Sequence, residues 1–140
     1  ADNANWNLVA QQTAEWNAEK AQQIVQAVID SGKSFNVIYA ENDDMAKGAV
    51  AALDKANISH GVGKDVIVMG FDCNKWALEE LLAQNWNYDG QCNPFQASYI
   101  DEIIKTLESG GEVAEKVVIL DEKGFDATTI TQEDVDAYGI

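Results

Sequence analysis

At 140 residues the chain suffices for one modest domain with a real core, and 46% hydrophobic residues with a single proline argue against disorder. A net charge of -15, from 24 acidic and 9 basic residues, argues against a phosphate backbone or an anionic membrane as partner and leaves a small neutral ligand open. No window approaches the roughly 18 apolar residues of a bilayer span, and the opening ADNANWNLVAQQ has no basic n-region or apolar h-region, so no signal peptide is expected there. A mature chain, an excised fragment and a cytosolic protein would all open this way.

Leu8-Val9-Ala10 is predicted to form a short strand. In AEWNAEKAQQIVQAVIDSG the residues Ala21, Ile24, Val25, Val28 and Ile29 fall on one helical face, with Asn17 as cap and Gly32 as stop. FNVIYA, residues 35–40, is β-branched and aromatic and predicts a buried strand. Met45, Ala46, Ala49, Val50, Leu53 and Ala56 then recur at helical spacing behind a cap at Asn42 or Asp43. NISHGVGKD is a loop. VIVMGF, residues 66–71, is apolar almost throughout, as in a parallel sheet covered on both faces.

Asp72 and Asn74 precede a helix carrying Ala77, Leu78, Leu81 and Leu82. YDGQCN is a weak strand. NPFQASYIDEIIKTLESGG predicts a helix with Asn93 as cap, Pro94 in its first position, an apolar face of Ile100, Ile103, Ile104 and Leu107, and Gly110-Gly111 as stop. KVVIL, residues 116–120, is the last expected strand, and Thr131 caps a short terminal helix. This alternation predicts an α/β fold: an open parallel sheet with helices on both faces.

In such sheets ligands gather beyond the C-terminal strand ends. Four junctions, TAEWN, ENDD, FDCN and QCNP, carry Asn or Asp, and the first also carries Trp16. Helix capping alone explains one polar side chain per junction. ENDD and FDCN hold more than a cap needs. Carboxylates accept from paired hydroxyls, amides donate and accept, and an aromatic face covers the C–H side of a sugar ring, so the set suits a polyhydroxylated ligand. No G-x-G-x-x-G or Walker motif is present. His60 is the sole histidine, and Cys73 and Cys92 with no nearby His are not a metal signature. Asp43, Asp44 and Asp72 could hold Mg²⁺ as a metal-dependent hydrolase would, but the basic or nucleophilic partner of phosphoryl chemistry is missing.

These segments resemble the periplasmic solute-binding proteins of the ribose and galactose type that feed ABC transporters. YAENDDMAKGAVAAL resembles the family's third strand-helix junction in the C-terminal lobe, and DVIVMGFDCNKWALEEL the next unit with its Gly-Phe-Asp. QCNPFQASYIDEIIKTLESG resembles the crossing toward the N-terminal lobe, and TTITQEDVDAY the usual ending. The resemblance implies a type I periplasmic-binding-protein lobe, apparently incomplete. Residues 1–93 would form most of the C-terminal ligand-binding lobe, 94–116 a crossover helix packing on a missing N-terminal lobe that could be a separate chain, and 117–140 a returning strand and terminal segment.

The resemblance further implies a binding protein without catalytic residues, metal or cofactor. Asp72 and Asn42 would hydrogen-bond sugar hydroxyls, Asn93 would supply the crossover amide, and Trp16 the cleft aromatic, while Asp43 would be structural. Partners would be a monosaccharide or related small solute and an ABC permease, with no nucleic acid. The location would be periplasmic or extracellular, lipid-anchored in a Gram-positive host. Within this resemblance Cys73 and Cys92 lie at adjacent strand ends, and a disulfide bracing the cleft rim is expected. The nearest alternative on the same fold is the effector-binding domain of a LacI-type repressor, which shares N-D-x-M-A and G-F-D.

Overall fold

A computed structural model describes residues 5–140. The stretch read for a leader begins at residues 1–4, which lie outside the described residues. The run with the fewest polar side chains takes an interior place in the sheet. This is β2 (Ile67–Asp72), which pairs in parallel with β1 (Val37–Tyr39) on one side and β3 (Tyr88–Gln91) on the other. A fourth strand, β4 (Gly124–Asp126), runs antiparallel to β3, giving a mixed sheet of order β1-β2-β3-β4. The helices are α1 (Ala18–Asp30), α2 (Asp43–Lys55), α3 (Lys75–Leu82), α4 (Ala97–Glu108) and α5 (Gln132–Tyr138). The chain is thus a single α/β lobe with a mixed sheet and flanking helices.

Local chemistry sets most helix ends. The Asn17 side chain accepts from the Lys20 N–H at the start of α1 at 2.9 Å, and Asn42 accepts from the Met45 N–H at the start of α2 at 2.9 Å. Thr131 and Asp134 cap α5 reciprocally. Gly32, at φ 71°, follows the last turn of α1 in the left-handed conformation that a stop requires. Side chains at one parity of the strands, Ile38, Val66 and Val68, join Leu53 of α2, Leu78 and Leu81 of α3, Val135 of α5 and Trp86 in one core. α1 packs on α2, close enough that a Cβ on Gly48 would lie 2.0 Å from the Ala18 carbonyl oxygen. The opposite parity carries Tyr39, Phe71 and Tyr88, whose rings follow one another at 5.2 and 6.3 Å. β1 is therefore half-buried, not buried, with Tyr39 exposed at the sheet's edge.

Two expected strands are absent. Residues 8–10 and 116–120 join no strand of the sheet, and Leu8, Val117 and Ile119 are exposed. Apolar β-branched sequence makes a strand only where a neighbour takes its N–H and C=O groups. The free edge of β3 is taken instead by Gly-Phe-Asp a few residues beyond KVVIL, where only Phe125 is buried. α4 also starts later than Pro94. The Asn93 carboxamide oxygen accepts from the Phe95 N–H at 2.8 Å, a local turn that spends three residues before helical geometry begins. Tyr99, Ile100, Ile103, Ile104 and Leu107 of α4 are exposed, and residues 112–118 run beside the helix to leave a shallow hollow between them. Among the described residues no helix is long and apolar enough to cross a membrane.

Candidate functional site

Because β1, β2 and β3 run in the same direction, the segments that leave them share one edge of the sheet. Asn42 leaves β1, Asp72 ends β2, and Asn93 follows β3. The Asn42 side chain is almost wholly buried and has two tasks: its oxygen caps α2, and its amide, close to the Asp72 carboxyl, favours the carboxylate form there. Burial raises the Asp72 carboxyl above its ordinary range; the Asn42 amide opposes that and the nearby Asp44 carboxylate adds to it. Opposite Asp72 on β3 stands Gln91, whose side-chain oxygen accepts from the Lys123 N–H at 3.2 Å.

The chain turns sharply here. Asp72 has φ 126° and Cys73 φ 63°, two consecutive residues with side chains in conformations that L-residues avoid at a cost on the order of 1–3 kcal/mol each. The surroundings hold the turn. Asp43, fully buried in the first turn of α2, accepts from the Asn74 backbone N–H at 2.8 Å and from its side-chain amide at 3.1 Å. That anchors the start of α3 to the start of α2, since Asn74 places no side-chain cap on its own helix.

Beneath lies Asp89, the middle of β3 and also fully buried. Burial first, then the neighbouring Asp43 carboxyl, pushes Asp89 up to about 9, and burial pushes Asp43 up to about 6 against the Asn74 bonds. Nothing in YDGQC marked Asp89, because a lone Asp in a weak strand reads as a solvated residue. The fact that could have flagged it is its register opposite Gly70.

Other expected residues fall differently. Asn93 is half-buried, with its N–H donating to Glu122 Oε1 at 2.7 Å, so it joins the outgoing and returning segments. Trp16 is 76% exposed at φ 55°, just before the Asn17 cap of α1. The disulfide expectation is corrected: Cys73 and Cys92 are both free, the first buried and the second exposed. The turn at Asp72–Cys73 drives the Cys73 thiol inward, where its Sγ lies 3.9 Å from Asp89 Oδ1, while Cys92 continues along the rim. Burial and the surrounding carboxylates push the Cys73 thiol up. Among the described residues no group of three or more His, Cys, Asp or Glu side chains is arranged to hold a metal ion. Asp43 points inward to Asn74 while Asp44 is exposed, and Asp43, Asp44 and Asp72 are not arranged to hold a Mg²⁺ ion.

Known proteins resemble this chain in sequence and fold. Residues 1–100 match the sequence model of the family described as periplasmic binding protein domain. A fructose import binding protein, FruE of Bifidobacterium longum, is 30% identical over 128 residues, covering 90% of this chain and 38% of its own length. A Mycobacterium smegmatis protein solved in complex with β-D-fucofuranose superposes with a TM-score of 0.75 at 28% identity, covering 86% of this chain and 38% of that one. An ABC transporter periplasmic solute binding protein from Actinobacillus succinogenes, with bound D-allose, gives 0.76 at 27%, covering 93% and 43%. The chain spans about two fifths of the length of these relatives.

Proposed function

The chain belongs to the periplasmic binding protein family, and on that premise we propose that it forms part of a cleft binding a monosaccharide or similar polyhydroxylated solute for delivery to an ABC permease. The observation that carries this reading is the contact of Asn42 with Asp72 at the shared edge of three parallel strands. A half-buried carboxylate beside an amide already oriented by a helix cap accepts from adjacent hydroxyls with little rotamer entropy left to lose. Asn93 extends the row along the edge, and the exposed Trp16 indole offers a face to the C–H side of a ring. The strained turn at Asp72 and Cys73 fits a site where backbone is held against its preference.

In the same reading residues 1–93 supply most of one lobe. The α4 segment, 94–116, packs its exposed Ile100, Ile103, Ile104 and Leu107 on the other lobe, and 117–140 returns. The protein works in the periplasm or outside the cell, which suits its acidic surface and a neutral ligand. The relatives, import binding proteins for fructose, ribose and apiose and proteins solved with sugars, support a sugar-like solute.

The test is an amide-resolved NMR titration of the chain with ribose, fructose, D-allose and galactose. Saturable shifts at Asn42, Asp72 and Asn93, with Trp16 indole shifts in the same titration, are expected for at least one sugar. Equal, non-saturating shifts for every sugar, unchanged when Asp72→Ala is titrated, would sink the proposal.

A further inference from the structure

Asp43 and Asp89 are fully buried, and the groups that act on them bring no positive charge. Asp72 and the Cys73 thiol face them from the end of β2 and Asn74 from α3, while the two carboxyls themselves come from α2 and β3. One oxygen of each carboxyl is accounted for: Asp43 Oδ2 takes both Asn74 donors, and Asp89 Oδ1 lies by the Cys73 sulfur. The others, Asp43 Oδ1 and Asp89 Oδ2, are buried and have no donor among the described residues.

Two ionised carboxylates in contact in a dry site would repel, and each lone oxygen would forfeit its desolvation energy. A single proton resolves both problems, because an O–H···O⁻ bond satisfies the two orphan oxygens at once. Both carboxyls flank Gly70, Asp89 as its register partner on β3 and Asp43 from the first turn of α2. Space for the bond is cleared by Gly70, where a Cβ would stand 2.6 Å from Asp43 Oδ1. We propose that Asp43 and Asp89 share one proton in the folded chain at neutral pH, and that Asp89 thereby acts as a positioning residue for the Asp72–Asn74 turn. The Asn74 donors hold Asp43 as the carboxylate, so the proton resides on Asp89 and the bond runs from Asp89 to Asp43.

The sign of the pH effect follows. Both groups keep protons in the folded chain above the ordinary carboxylate range near pH 4, so the folded state binds more protons than the unfolded one. Stability therefore falls as pH rises, first through about 6 for Asp43 and then toward about 9 for Asp89.

The experiment is a carboxyl-carbon NMR titration of the aspartate-labelled chain from pH 4 to 10, alongside urea unfolding at the same pH values for the wild type and Asp89→Asn. One carboxyl carbon should inflect above neutral pH, with the Asn74 backbone amide shifting in step. The wild-type urea midpoint should fall from pH 7 to 8, below the range in which an unfolded cysteine ionises, while that of Asp89→Asn, whose amide donates the same bond but cannot ionise, stays level. If every aspartate is ionised by pH 5, or the two midpoints fall in parallel, there is no shared proton. An Asn74 amide that ignores the inflection removes the positioning role. Should Asp89→Asn fail to fold, the wild-type titration decides alone. No solute enters either arm, so failure here leaves the sugar-binding reading standing, and the converse holds too.

Discussion

Gly70→Ala tests the packing that supports the Asp72 turn. A Cβ at this position would lie 2.6 Å from Asp43 Oδ1 and 2.8 Å from Trp86 Cζ3. Both are nearer than real Cβ atoms come, and neither neighbour can yield freely. Trp86 is 1% exposed and stacked edge-on against Trp76 at 5.9 Å, and Asp43 is pinned by two bonds from Asn74. Overpacking of this kind costs about 1–3 kcal/mol. Displacing Asp43 adds part of the roughly 1.5–3 kcal/mol that a hydrogen bond to a charged group contributes. A total of about 3 kcal/mol is expected, equivalent to a fall in Tm of roughly 10 °C for a chain of this length. Thermal and urea unfolding followed by far-UV circular dichroism measure it. Gly32→Ala is the control: no atom lies within 4 Å of its Cβ position, so only the left-handed backbone, at about 1 kcal/mol, opposes it. Gly70→Ala within about 0.5 kcal/mol of the wild type would refute the reasoning, because Asp43 would not then be wedged beneath β2.

Asp72→Asn should weaken solute binding at least tenfold by calorimetry while leaving the urea midpoint unchanged or raised, since burial disfavours the charged form it removes. Asn42→Ala should weaken binding too but also cost about 1–2 kcal/mol through the lost α2 cap; equal stability loss in both variants would contradict their division of labour. One thiol per native chain should react with a chromogenic disulfide reagent, Cys92, and two in denaturant; no reaction in either state would restore the disulfide. Ile104→Lys on α4 should change the stability of this chain by less than about 0.5 kcal/mol, because the side chain is already exposed. A loss above 2 kcal/mol in urea would mean that something covers that face.

How far the sequence reached depended on the range of the interaction that decides each feature. Caps and stops are local: Asn17, Asn42 and Thr131 each accept from an N–H three residues on, so their side chains announce helix starts without knowledge of the fold. The apolar period of α1, α2 and α3 and the continuous run of β2 are equally local, and they were enough to foretell an α/β lobe with polar strand ends along one edge. What decided the rest lies between segments distant in sequence. Whether KVVIL or Gly-Phe-Asp pairs with β3 depends on which one reaches its free edge, and the apolar content of the two would have chosen wrongly. Whether Cys73 meets Cys92 depends on two positive φ angles at the end of β2, which no side chain in FDCN reveals. Asp89 is a surface-type residue in composition and a fully buried one in fact, because parallel pairing puts it against Gly70 and beneath the first turn of α2. A burial of that kind is a property of three elements at once, so only their assembly could disclose it.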